Sequence, residues 1–314
     1  MIRLSMRHAA IVGALALLAA CTAGQAENAE VEQAPPTATP SASMTPPAPV
    51  APAPAPVATP AGPATFLYEG ELTQGGWIRG QAPAGTEEAL LNGTPLALDD
   101  KGRFFAAFDR DAGSEAVLRA QIAGGREDLV TVAITPRAWN IEHINVARRP
   151  SGPSEAFLAR RRPELAAIGA ARAKQTAAEG WRQDFIWPVK GRVSGRFGAQ
   201  RIYRGEPGSY HSGMDITTGE SGTPFVAPAD GVVVLAVQDF SLEGNLLIID
   251  HGQGLNSAFL HASRLVVSEG QSVRQGQHIG NIGASGRATG PHLHWGLKWN
   301  DARLDPLLFL DSSD

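Results

Sequence analysis

No aromatic residue precedes Phe66, and eleven of the chain's 23 prolines fall between Asn28 and Ala64. A segment of that composition has too little apolar surface to offset the entropy of ordering its backbone, so a packed core can begin only near Phe66. Its Ala/Pro/Thr/Ser content favours extended, polyproline-like conformations and the behaviour of a semi-rigid spacer. At about 3.1 Å per residue, the 37 residues from Asn28 to Ala64 would reach roughly 100 Å.

Upstream of the spacer, Arg3 and Arg7 precede an uncharged run from Ala9 to Ala20. A membrane span needs about 20 apolar residues, so this run is too short for one and fits the apolar core of a secretory signal. It ends in Leu18-Ala19-Ala20-Cys21, which resembles the lipobox of bacterial lipoproteins. That resemblance implies cleavage before Cys21 and lipid on its thiol, giving a signal over 1–20 and an anchored tether over 21–64. Thr22, where an Asp would imply inner-membrane retention, points to a periplasm-facing outer-membrane location in the cell envelope. Cys21 is the single cysteine, which excludes an internal disulfide framework and a Cys-type zinc site. A net charge of −4 argues against nucleic acid as a partner.

From 65 to 140 the pattern is short β runs separated by turn signals. Runs such as Phe104–Phe108 and Leu129–Ile134 alternate with Asn92-Gly93 and Gly124-Gly125. This predicts a small β-sandwich, an accessory domain with no catalytic constellation. A helical connector is expected over 141–184, with helix from Ser154 to Gly180 broken at Pro163. Arg160, Arg161 and Arg162 read as a solvated helix face. From 185 to 314 the chain is again β-rich, with strong strand runs at Val232–Val237, Asn245–Asp250 and Ser257–Leu260, and a tight turn expected at Asp250-His251-Gly252. The fold class is therefore mainly β, with an antiparallel C-terminal domain.

Histidines concentrate in that last part. His211 and Asp215 are spaced His-x-x-x-Asp, and His292 and His294 form His-x-His. In a strand, residues i and i+2 share a face, so the pair would enter one space. Two imidazoles and a carboxylate make a zinc donor set that leaves a position open for water. His251 in a turn and His278 among turn residues read as structural and exposed, respectively. Arg201, Tyr203 and Arg287 are candidates for lining a substrate groove.

The flanking residues are more specific than either spacing. Gly283-Ala284-Ser285-Gly286-Arg287-Ala288-Thr289-Gly290-Pro291-His292-Leu293-His294-Trp295 closely resembles the signature of the M23, or LytM/lysostaphin-like, zinc endopeptidases. His211-Ser212-Gly213-Met214-Asp215 and the segment Gly270 to Gly280 match the same pattern, and the likeness runs in order from about Trp187 to Leu308. It implies a barrel-sandwich-like β domain, one Zn2+ held by His211, Asp215 and His294, and catalytic roles for His261 and His292. Family members more often carry an acidic residue two places after the last histidine, and Gly296 stands there. The resemblance further implies hydrolysis of peptide cross-links or stem peptides of bacterial peptidoglycan. Some LytM-like members instead activate wall amidases without catalysis. A biotinyl-type carrier is disfavoured, because Lys190 and Lys298 are the only lysines after residue 180 and neither suits a modified hairpin tip.

Overall fold

The computed structural model describes residues 62–147 and 152–311; the signal segment, Cys21 and nearly all of the tether lie outside them. Among the described residues, no helix is long and apolar enough to cross a membrane.

The fold is mainly β. Two antiparallel sheets form first, one from Leu67–Gly70, Trp77–Gln81 and Arg103–Ala107, the other from Thr86–Leu91, Thr94–Pro95, Glu115–Ile122 and Arg126–Ala133. Period-2 alternation drives the second: Ala116, Leu118, Ala120 and Ile122 are buried while their neighbours face out. Asn92 and Gly93 turn the chain with φ of 49° and 83°, the double positive φ of a two-residue hairpin. The core of these sheets continues into the C-terminal part. Trp77 stacks on Phe105 at 6.2 Å, meets Phe309 at 5.4 Å, and donates its indole N–H to the Leu308 carbonyl at 2.8 Å.

The functional half is built on an eight-stranded antiparallel sheet. Its order is Ser272–Val273, Gly231–Phe240, Gly244–Gly252, Leu255–Ala262, Leu293–Trp299, Met214–Thr217 and Arg192–Gly195, with Ala302–Leu304 on the end of Leu293–Trp299. Along Leu293–Trp299 the odd positions Leu293, Trp295, Leu297 and Trp299 enter the main core. His294, Gly296 and Lys298 therefore share the opposite face. That face continues across the sheet as Leu260, Ala258, Ile248, Leu246, Leu235 and Val234, and the helix Glu155–Arg172 covers it through Ile168 and Ala171.

The helix starts at Ser154, whose hydroxyl accepts from the Phe157 amide, and runs unbroken through Pro163. The expected break does not occur; the carbonyl that Pro163 cannot serve belongs to Ala159, an exposed residue, so the lost bond is not buried in the core. Arg161 also departs from the solvated-face reading: it is buried, and its guanidinium makes two 2.6 Å contacts to Glu243 and one of 3.0 Å to Glu164. Burial alone would raise the Glu164 pKa. The Ser241 hydroxyl and amide, with Arg161 and Arg160, instead hold it down at about 2. Removing the guanidinium leaves two carboxylates facing each other in the interface. Arg161→Ala should therefore cost about 3 kcal/mol in urea unfolding; a loss under about 1 kcal/mol would mean the ion pairs do not hold the helix.

The turn expected at Asp250-His251-Gly252 lies one step further on, at Gln253-Gly254, where φ is 51° and 81°. The strand runs on because its end is pinned. The Asp250 carboxylate accepts from the Thr176 amide at 2.9 Å and hydroxyl at 2.6 Å. The His251 ring nitrogens lie 2.7 Å from the Asp230 carbonyl and 2.7 Å from the Ser257 hydroxyl. His251 is fully buried, and burial pushes its pKa down to about 4. Between its unfolded value near 6.5 and 4, the unfolded chain takes up a proton that the native state refuses. Stability present above about pH 6.5 is thus lost as pH falls, by about 3 kcal/mol at pH 4. Denaturant unfolding at pH 7 and pH 4 should show a drop smaller by that amount in His251→Asn; equal drops would contradict it.

Candidate metal centre

Strand register brings the first two site residues together: Asp215 stands directly opposite His294 in the neighbouring strand. His211 reaches the same point from the loop before Met214–Thr217. Asp215 Oδ1 lies 2.8 Å from His294 Nδ1 and 3.1 Å from His211 Nε2, and the two imidazole nitrogens are 3.1 Å apart. Glycines make this approach possible. A Cβ on Gly213 would stand 2.6 Å from His294 Nε2, and one on Gly195 2.4 Å from Asp215 Oδ2.

Tautomers follow from the outer partners. His211 Nδ1 is 3.0 Å from the Arg196 carbonyl, so it carries the proton there and turns the Nε2 lone pair inward. A proton can bridge only two of the three converging atoms, whereas a cation serves all three. Zinc with bonds of 2.0–2.2 Å in tetrahedral geometry would hold such atoms about 3.3 Å apart, within a few tenths of an ångström of the spacing here. The donor set therefore fits zinc. Burial would raise the Asp215 pKa, but hydrogen bonds from His211 and His294 hold it well below the carboxylate range. Burial works against protonation of His211 too, and Asp215 outweighs it, so that pKa rises. Burial lowers the pKa of His294.

His261 and His292 stand beside the cluster. Their rings are 4.9 Å apart, and His292 Nε2 lies 3.7 Å from Asp215 Oδ1. His261 follows Leu260, which packs on the site face, so simple alternation would send it into the core. Its φ of 65°, rare for a non-glycine residue, turns it back towards the site. His261 Nδ1 is 2.8 Å from the Ser285 carbonyl, and His292 Nδ1 2.8 Å from the Gly290 carbonyl. Both rings thus spend Nδ1–H on the backbone and keep a basic Nε2. Burial also lowers the His261 pKa, which favours the neutral ring.

Two cavities flank the cluster. One of about 1120 Å3 borders His211 and Asp215 and is lined by Arg201, Tyr203, Tyr210 and Arg287. The other, of about 330 Å3, borders His294 and lies under the helix. His251 and His278 stay out of the site, buried and exposed respectively. The carbonyls of Arg196, Ser285 and Gly290 were not foreseeable, because a backbone acceptor has no side-chain signature. Ser285 also ties the site loop to the sheet: its hydroxyl donates to the Ala262 carbonyl and accepts from the Asn245 amide.

Two histidines and an aspartate converging on the face of an antiparallel sheet, with an open side, form a metallopeptidase-type centre. Residues 209–306 match peptidase family M23. A crystal structure assigned to peptidase M23 from Pseudomonas aeruginosa superposes with a TM-score of 0.57 at 28% identity, covering 76% of this chain and 94% of that one. The peptidoglycan DD-endopeptidase ShyA of Vibrio cholerae is 39% identical over 117 residues, 35% of this chain and 26% of ShyA. The murein hydrolase activator NlpD of Escherichia coli is 35% identical over 130 residues, 41% of this chain and 31% of NlpD. The chain thus matches only about a third or less of these two relatives' lengths.

Proposed function

We propose that the chain is a zinc-dependent endopeptidase that hydrolyses peptide cross-links or stem peptides of bacterial peptidoglycan. In this reading it is anchored through lipid on Cys21 to the periplasmic side of the outer membrane. The observation that carries it is completeness: three ligand atoms within 3.1 Å of one another, and two further imidazoles with free Nε2 atoms at the same place.

His211, Asp215 and His294 would hold the metal, and zinc bound there would supply Lewis-acid polarisation of the scissile carbonyl and a more acidic water. His292 Nε2 takes a proton from the attacking water and returns it to the departing amine nitrogen. His261, held neutral with a bare Nε2, accepts a hydrogen bond from the same water and orients it for attack. The backbone carbonyls of Ser285 and Gly290 keep both rings in the tautomer these steps need. The larger cavity, with Tyr203, Tyr210 and Arg287, receives the peptide.

The likeness to NlpD supports a second reading, a catalytically silent LytM-like regulator that activates wall amidases. Metal analysis of the purified chain separates the two. A single tightly held zinc per chain is expected of the enzyme; a folded, metal-free protein that stimulates an amidase would establish the regulator.

A further inference from the structure

The cavity under the helix is electrostatically unbalanced. Arg161, Arg172, Lys298 and Arg303 line it against Glu243 alone. Two of these cations are already paired: Arg161 with Glu243 and Glu164, Lys298 with Asp301. Among the described residues, the guanidiniums of Arg172 and Arg303 form no ion pair; Arg303 lies over the Tyr210 ring at 5.6 Å, and its backbone amide donates to Asp109. The Arg172 Nε is buried without a hydrogen-bond acceptor. Burial, and then the like charge of Arg303, pull the Arg172 pKa down to about 10, with Glu243 offsetting part of the fall, so Arg172 keeps its charge at neutral pH beside a second guanidinium. Gly296 on the floor contributes no side chain; a Cβ there would stand 3.3 Å from the Ser212 carbonyl and 3.7 Å from His294 Nε2. The remaining walls are aliphatic, with Leu165 and Ile168 from the helix and Ile248 and Leu260 from the sheet.

A hollow with methylene-lined walls, two guanidiniums lacking an anion, and a metal ligand at its edge fits one kind of group. We infer that this cavity is a carboxylate subsite. It takes an aliphatic peptide segment bearing a free carboxylate, next to the scissile bond, with Arg172 and Arg303 as its anchors. An arginine fork matches a carboxylate through two parallel hydrogen bonds, and a carboxylate entering here removes the repulsion between the two cations. The inference rests on the endopeptidase reading for its substrate and adds to it a specificity: cross-links with a free carboxylate beside the cleaved bond over those with a carboxamide or no substituent.

Binding tests this apart from turnover. The probes are two synthetic wall-type peptides that lack the scissile bond and differ only in a terminal carboxylate or carboxamide on an aliphatic residue. Calorimetry on the zinc-loaded full chain should find the acid bound at least about tenfold tighter. Arg172→Gln and Arg303→Gln should each shrink that preference, the double variant to within about twofold, with melting temperature and zinc content unchanged; Arg172→Lys should restore part of it. Arg303 is exposed, so its variant stays informative if Arg172→Gln fails to fold. Equal binding of acid and amide, or a preference that survives both substitutions, would overturn the subsite. If the preference is present but zinc-loaded protein cleaves no cross-link, the subsite stands and the endopeptidase reading falls.

Discussion

Asp215→Ala protein should fold, lose its zinc, and lose at least about a thousandfold in peptide hydrolysis, since the metal supplies several kcal/mol of transition-state stabilisation. The expectation follows from the position of the carboxylate. Asp215 Oδ1 is the atom nearest both imidazole donors, at 2.8 Å and 3.1 Å, so without it two nitrogens remain to hold the metal. Folding should survive because the contacts Asp215 makes through that atom are to other site residues, and it stands on a half-buried position of Met214–Thr217. Metal content by mass spectrometry, circular dichroism and hydrolysis together check this. A variant that kept stoichiometric zinc and full turnover would remove Asp215 from the metal site.

His292→Ala should behave differently: zinc retained, and kcat down by about 10² to 10⁴. Its Nε2 is 3.7 Å from Asp215 Oδ1, close enough to act beside the metal and too far to share its proton, and its Nδ1 is committed to the Gly290 carbonyl. His261→Ala should show the same separation of metal content from turnover. The two imidazoles lie 4.9 Å apart and serve one reaction, so the double variant should lose less than the product of the single losses. Full activity in both single variants would leave the metal as the whole of the machinery; loss of zinc in either would make that histidine a ligand instead.

The main features of the fold were legible in the sequence because each rests on local chemistry. Alternating runs became strands, as at Ala116–Ile122, and Asn92-Gly93 became a hairpin because Asn and Gly take two positive φ values in succession at little cost. The site residues were legible as candidates through their spacing and their flanking motifs, and the fold brings all five to one place. What could not be read were features decided by distant partners. The helix passes through Pro163, where the residue whose bond is lost, Ala159, is exposed. Arg161 turns inward because Glu243, 82 residues away, waits for it. His251 lies in a strand because Asp230 and Ser257 hold its ring. The cavity under the helix combines Arg172 with Arg303, which no local window joins.

Incubation of the full chain with purified peptidoglycan sacculi, with and without a chelator, tests the central claim most directly. Release of soluble peptide-linked fragments that stops with chelator and returns with added zinc is the predicted result. Release that ignores the chelator, or no release from zinc-loaded protein, would contradict a zinc endopeptidase of the cell wall.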